Sequence, residues 1–560
     1  MKVYKNLIIY AIVAVFSIFI LYLPYAIFAL PDQKMLHPDD WAYEAISILS
    51  REQGEIFFTD SRITSAQMLN YLDTIDEYSL SESGFAIYDK LYNYLNSTPV
   101  FNFQSDYVDI SMDLLLQPEM YYKSNENISW IYNEHSRNAL LTIPFGFSLG
   151  PWFTAEMDFY LGENEYAATL HNNYSNIPSD GGHIDLHTPK RAYISAGIPF
   201  GKASGIHLTL GTGDNFFGQT QTGSIIMSEY LQRVSYAQAS IYSPAFKYTA
   251  QVMQYEVNKY QYMHYFQLRP HRSVSLSIAE GVMVNAPLEL RYLNPFMIFH
   301  SFESYKTYRD YNDDLGYDRN DDIIYESQTN NSRVGSYLGF KLEWQPVKNL
   351  RLYGLFVMTQ LQISYEKKNW PELLTPDALG FQAGINLSFP LNNGYLDFGI
   401  EGVYTYPYLY VLHNEKWSFF KEAHEVDNMT LRYWTGTPFG PDTIAGAFKA
   451  GFRSSANWYI GFSFIYSAQG DRSSLDIFND KVNHSYRPTP VVFDVTVPPT
   501  GTPLYTYTTV LEGEYYFRNW LSFSAQTGYR VMKRNDLKEQ GFELTLSVRF
   551  KPDLEIWSNS

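Results

Sequence analysis

Three groups of residues carry side chains that could do chemistry. His183, Asp185 and His187 alternate, so on a strand all three would share one face at the spacing of metal ligands. They follow Gly181-Gly182 with no further strong ligand near them in sequence, and the margin of a loop is the plainer reading. Asp310, Asn312, Asp314, Asp318, Asn320 and Asp322 take alternate positions either side of Gly316. Oxygen ligands so spaced can hold calcium, but an EF-hand loop needs its glycine one position earlier than Gly316 stands. A solvated loop therefore competes with a weak calcium site at Asp310, Asn312 and Asp314. The third group is aromatic: Tyr404, Tyr406, Tyr408 and Tyr410 with Trp417, and Trp434. Rings of this kind stack on the apolar faces of pyranoses while nearby Asn, Asp and Gln bond the hydroxyls. An interfacial aromatic girdle running on into a loop explains the same tyrosines.

No catalytic set accompanies these groups. The chain has no Gly-x-Ser-x-Gly elbow, no Walker loop and no His-Glu-x-x-His. Cysteine is absent, which removes a thiolate nucleophile, a disulfide framework and a lipid-modified N-terminal cysteine. The sequence reads as non-enzymatic and without a cofactor. Its formal charge is −18, more negative still without Lys2 and Lys5, and nucleic acid drops out as a partner because phosphate binding needs a basic stripe.

These residues must be positioned by a membrane scaffold. The 560 residues include 49 Tyr and 38 Phe. Mean hydropathy is nevertheless −0.26. Strands with one greasy face and aromatic girdles at both membrane interfaces reconcile the two. Met1 to Ala29 has the form of a signal peptide: Lys2 and Lys5, an apolar run from Leu7 to Leu23, then Ala26 and Ala29. The run is long, so an uncleaved anchor helix is the alternative.

Residues 30–98 carry a helical period. Asp39-Asp40 precedes a helix with Trp41, Ala42, Ala45, Ile46 and Leu49 on one face, ended by Gly54. Thr64 or Ser65 caps a second with Met68, Leu69, Leu72 and Ile75, and Ser81 opens a third with Phe85, Ile87, Tyr88, Leu91, Tyr92 and Leu95. Such short amphipathic helices bury their faces only together, which predicts a compact periplasmic bundle, either a spacer or a plug under the barrel.

Residues 99–560 change to a period of two. Phe542, Leu544, Leu546, Val548 and Phe550 alternate with Glu543, Thr545, Ser547 and Arg549, and the pattern recurs from Phe246 to Val252 and from Leu338 to Trp344. Charges on one face of strand after strand predict a wet interior. Short turns, such as Asn392-Asn393-Gly394, Gly201 to Gly205, Pro346 to Asn349 and Arg518-Asn519, alternate with long stretches near 162–190, 303–333, 365–378, 406–445 and 470–503. The fold class is mainly β: a large antiparallel transmembrane β-barrel of the outer membrane with a small N-terminal α-helical bundle.

The motifs Arg191-Ala192-Tyr193, "GTGDNFFGQTQTGSIIMS" (211–228), "HYFQLRP" (264–270), "SVSLSIAEGVMV", "LELRYLNPF" (288–296) and "NLRLYGLFV" from Asn349 occur in an order similar to the capsule-assembly Wzi family of outer-membrane barrels. The chain departs from that pattern at Thr212, Tyr265 and Thr359-Gln360. The resemblance implies about 18 strands, a lumen occluded by the helical bundle, and attachment of capsular polysaccharide by a lectin-like protein. It brings His264, Arg269, Glu280, Glu289 and Arg291 forward as ligand-binding candidates. By strand parity Glu289 and Arg291 face inward, whereas Glu280 shares parity with Val274, Leu276 and Ile278 and belongs at the membrane edge or beyond a bulge. Inward charges also form purely structural ladders. The expected partners are outer-membrane lipid, a surface polysaccharide and the barrel-assembly machinery, to which an aromatic-ended last strand at Phe550 is the signal. A porin or substrate-specific channel is the second reading, and an adhesin-like surface protein the third.

Overall fold

A strand with Lys, Arg or Glu on one face and Phe, Leu or Val on the other is stable only where both faces find their solvent. In the computed structural model the strands meet that condition by closing on themselves. The structure describes residues 33–552 apart from 98, 106, 129–137, 164–173, 179–183, 186–190, 202, 232, 300–333, 362, 370–375, 413–417, 425–429, 456, 472–496 and 519. The expected leader, Met1–Ala29, lies outside the described residues.

A closed barrel of 18 antiparallel strands results. Its first strand is built from three collinear pieces, Val108–Met112, Leu115–Leu116 and Glu119–Lys123. The first two pair with Leu141–Leu149, and the third pairs with the last strand, Leu537–Phe550, placing Met120 against Leu546 and sealing the cylinder. Beside the seam the short strand Phe101–Gln104 pairs with Val108–Met112. Facing directions follow the predicted alternation: on the last strand Phe542 is 40% exposed and Glu543 only 2%. The apolar face is outside, the reverse of a soluble protein.

The connections segregate. At one end the turns are short, at 150–152, 202–203, 243–245, 272–273, 345–349, 392–393, 455–457 and 519–520. From the other end run the longer connections, 124–140, 164–191, 214–233, 286–333, 361–377, 406–442 and 470–503, and two short links, 257–258 and 535–536. In the predicted Asn393-Gly394 hairpin, a Cβ on Gly394 would meet the Arg453 carbonyl at 2.2 Å, so only glycine fits.

The head supplies three helices, α1 (Trp41–Gln53), α2 (Ser65–Leu72) and α3 (Glu82–Leu95), capped by Asp40, Thr64 and Ser81 as their sequence positions predict. Ile75, expected on the second helix, falls beyond its end. Their apolar faces, among them Ile46, Leu49, Met68, Leu72, Ile87 and Leu91, form one cluster that also takes in Tyr395 and Phe216. The head sits inside the lumen at the short-turn end. Ile56 N–H donates to the Arg272 carbonyl in one turn, and Asn349 N–H in another donates to the Arg51 carbonyl. The Arg51 guanidinium reaches the inward-facing Ser388 and Asp397.

Candidate functional site

The inward charges that predict water in the lumen are largely met by protein instead. Asp60, between α1 and α2, receives the Lys341 ammonium from the wall, the Gln219 N–H at 3.1 Å and the Gln267 amide at 3.3 Å. Lys341 also pairs with Glu343 at 2.6 Å, and Glu343 with Arg351 at 2.7 Å. Gln219 belongs to the segment 214–233, which leaves its strand at the long-loop end and turns down into the barrel. There Ile225, Ile226 and Met227 are fully buried against Tyr265, Met283, Tyr337, Leu355 and Val357. The segment 406–442 closes over it with a hairpin, Phe420–His424 against Thr430–Trp434. Tyr410 Oη donates to the Ile225 carbonyl at 2.5 Å, and Tyr337 donates to the Ile226 carbonyl.

Head, inner segment and lid thus fill the side of the lumen bounded by the strands between Val234 and Thr405. The side bounded by Thr443–Ser454, Trp458–Gln469, Leu504–Arg518 and Leu521–Arg534 keeps a cleft of about 1270 Å³. It extends from Gln469 and Leu504, at the long-loop ends of their strands, down to Glu44 of α1 and Arg453. Its barrel wall presents Ser463, Ser467, Thr506, Thr508, Ser524 and Gln526; its inner wall presents Gln219, Gln221, Glu229 and Tyr230. Fixed charges are tied down: Arg453 is bound to Glu44 at 2.6 Å, Lys449 donates to the Gln221 carbonyl at 2.7 Å, and Tyr459 donates to Glu512 at 3.1 Å. Hydroxyls and amides between a few rings can exchange hydrogen bonds with a polyhydroxylated solute at little desolvation cost, since each polar group finds a replacement partner.

Titratable groups gather where the head meets the inner segment. His37 Nε2 lies 3.3 Å from Asp214. Burial pushes the Asp214 carboxyl up, but the His37 hydrogen bond and charge, the Arg233 N–H and Arg62 outweigh it and hold the group below its ordinary value. Glu229, half-exposed to the cleft yet enclosed in the barrel, is pushed up to about 7 by burial, with the Asp39 charge adding to the shift.

The sequence candidates scatter. Arg269 faces the lumen, but its guanidinium is spent on Glu55 at 2.8 Å and on the Ile56 carbonyl of the head. His264 and Glu280 are paired neighbours on adjacent strands and share the outward parity of Phe266 and Ile278. No bulge separates Glu280 from Ile278, and it sits midway along its strand rather than at a membrane edge. Glu289 and Arg291 were expected to point inward from a strand. They lie instead on a 3-10 turn, Leu290–Leu293, where they pair with each other on the barrel's outer side. Pro287 and Pro295 frame that turn and deny the segment the ladder hydrogen bonds of a strand. Tyr404 and Tyr406 pack beside Phe381 on the outer wall, where a girdle would stand. Tyr408 is buried within the lid segment, and Trp434 packs against the lid's apolar cluster. Trp417, the calcium candidates Asp310, Asn312 and Asp314, and His183 and His187 lie outside the described residues; of the third candidate ligand, Asp185, only the backbone is described, in a two-residue strand. The described cleft residues of the barrel wall were missed because they are ordinary inward positions, two from each of three strands, with no local motif. The only local signal was the apolar run Ile225-Ile226-Met227 inside a loop.

No protein-family model matches the chain, and neither does the sequence of any curated protein. Solved structures do. The Escherichia coli outer-membrane protein Wzi, described as involved in group 1 capsule assembly and as a carbohydrate-binding β-barrel, is 12% identical. That match covers 92% of this chain and 99% of the other at a TM-score of 0.54. OprD of Pseudomonas aeruginosa is 10% identical over 79% of this chain and 95% of its own, with a TM-score of 0.40. Closure into 18 strands, the outward apolar face and the likeness in fold lead to one statement: the chain is an outer-membrane β-barrel.

Proposed function

We propose that this barrel binds a long surface polysaccharide, capsular or exopolymeric, along the luminal cleft, as a lectin-like protein of the Wzi type rather than an enzyme. In this reading the short-turn end is periplasmic, the head is a plug, and the barrel-assembly machinery inserts the chain. The observation that carries the proposal is the cleft itself. It is lined by Ser463, Thr506, Thr508 and Gln526 with few uncommitted charges, and it reaches the long-loop end through Gln469 and Leu504. The likeness in fold to a carbohydrate-binding barrel supports the same reading.

The test is retention of the host's own surface glycan by the purified full chain, compared with a variant carrying Thr508→Trp and Ser463→Phe to fill the cleft. Retention lost in the filled variant is expected. Equal retention by both, or none by the native chain, overturns the proposal.

A substrate-specific channel is favoured by a different feature, the length of the same cleft, which runs from Gln469 and Leu504 down to Glu44 and Arg453. Single-channel recording separates the two. A plugged lectin conducts little until residues 37–96 are deleted, whereas a channel conducts with the head in place.

A further inference from the structure

The stretch after the strand Val274–Asn285 has the position of an extracellular loop, and its structure is something else. From Ala286 the chain turns over the long-loop rim and descends the outside of the wall. Glu289 N–H donates to Tyr262 Oη at 3.1 Å, and the Tyr292 ring stacks on Tyr262 at 4.9 Å. Further down, Tyr248 Oη donates to the Pro295 carbonyl at 2.8 Å, and the Phe299 ring lies 4.3 Å from His264. Tyr262, Val282 and Val284 share the outward parity of Phe266 and Ile278, yet they are buried in one cluster with Ala286, Tyr292 and Phe299. The segment therefore covers part of the face that a barrel ordinarily gives to lipid.

What it covers explains its presence. His264 and Glu280 sit opposite each other on neighbouring strands, midway along both, with side chains directed outward. A polar pair at that depth is costly against hydrocarbon. The descending segment lays the Phe299 ring over the imidazole. What it offers in exchange is apolar: Leu290 is 81% exposed and Phe296 92%, with Leu288, Leu293 and Ile298 exposed beside them. These side chains continue outward the apolar band of Phe266, Leu268, Leu276 and Ile278.

We infer that residues 286–299 form a re-entrant segment that inserts into the outer leaflet and binds its acyl chains through Leu290, Phe296 and Ile298. The segment replaces a polar stretch of wall by an apolar surface, and it fixes the height of the barrel in the membrane on this side. Glu289 and Arg291 close an ion pair at its rim and take no part in the luminal cleft. Acyl chains are the occupant because the exposed side chains are continuous with the barrel's own lipid-facing band and carry no charge.

The native chain has no cysteine, so single labels report single sites. Leu290→Cys and Phe296→Cys, each carrying a bimane, would be inserted as full chains into phosphatidylcholine vesicles with and without bromine on the acyl chains. Ile278→Cys marks the lipid-facing wall, and Tyr78→Cys, on the exposed surface of the head, marks water. Native-like heat-modifiable gel mobility establishes folding for each. Brominated chains are expected to quench both segment labels as strongly as the Ile278→Cys label, with aqueous iodide nearly without effect. Iodide quenching equal to that of the Tyr78→Cys label, without a bromine effect, places the segment in water and overturns the inference. Spontaneous disulfide dimers of Phe296→Cys within the vesicle overturn it in favour of a second copy of the chain as occupant.

Discussion

The Arg453 guanidinium forks onto the Glu44 carboxylate, Nε at 3.1 Å and Nη2 at 2.6 Å, and so ties the first helix of the head to the cleft-side wall. The pair stands at the floor of the cleft, where Tyr459 lies under the guanidinium at 4.5 Å. Glu44 is 44% exposed, so solvent screens the attraction and the contact contributes at most about 1 kcal/mol to stability. Its weight is on passage. Glu44→Gln removes the fork and leaves the helix in place. Single-channel conductance should rise above that of the native chain while the unfolding midpoint stays within error; an unchanged conductance means that the floor is closed by other residues.

Asp60 has the opposite character. It joins head, inner segment and wall through Lys341, Gln219 and Gln267, all in the interior. Asp60→Asn leaves the buried Lys341 ammonium with Glu343 alone, and the cost is about 3 kcal/mol, the lower end for breaking one partner of a buried pair. Hydrogen exchange in α2 should accelerate by roughly two orders of magnitude, while exchange in the barrel strands is unmoved. Equal protection in the variant would show that apolar packing by Met68 and Leu72 holds the head without this junction.

Much of this architecture is legible in the sequence because it repeats. A single outward Phe beside an inward Glu says little, but Phe542 and Glu543 belong to a period that runs through strand after strand, and the capping residues Asp40, Thr64 and Ser81 each precede an apolar face. The candidate site is not periodic. Thr508, Ser463 and Gln526 come together through the pairing of three neighbouring strands, and each is one small polar residue among many inward ones. Glu289 and Arg291 misled for the complementary reason: Leu288, Leu290 and Tyr292 alternate like a strand, and over so short a stretch the prolines on either side are the better guide. The inner segment 214–233 carries its buried apolar residues at Phe216, Phe217, Ile225 to Met227 and Leu231, an irregular spacing with no period to read.

The inner segment should respond to pH through Glu229. Burial, helped by the Asp39 charge, pushes this carboxyl up to about 7 from an ordinary value of 4.5. A carboxyl whose folded value is raised favours the folded state in its protonated form. Its contribution is therefore fully present below 4.5 and is lost as pH rises through about 7. Exchange protection of residues 219–231 should fall across that window, and Glu229→Gln should hold it level. A slope that persists in Glu229→Gln would assign the titration to another group.

The lid should yield at one glycine. A Cβ on Gly436 would stand 1.9 Å from Tyr410 Oη and 2.5 Å from the Ile225 carbonyl, so alanine there displaces the tyrosine that holds the inner segment. Overpacking of this kind costs about 1–3 kcal/mol. Tyr410→Phe deletes the same hydrogen bond without the clash and should cost about 1 kcal/mol. The Trp434 ring lies 6.2 Å from Tyr410, so its fluorescence reports the displacement. Gly436→Ala should shift that emission and expose the inner segment to protease, while Tyr410→Phe leaves both close to native. If the two variants behave alike, the hydrogen bond to Ile225, rather than the space that glycine leaves open, is what seats the lid over the lumen.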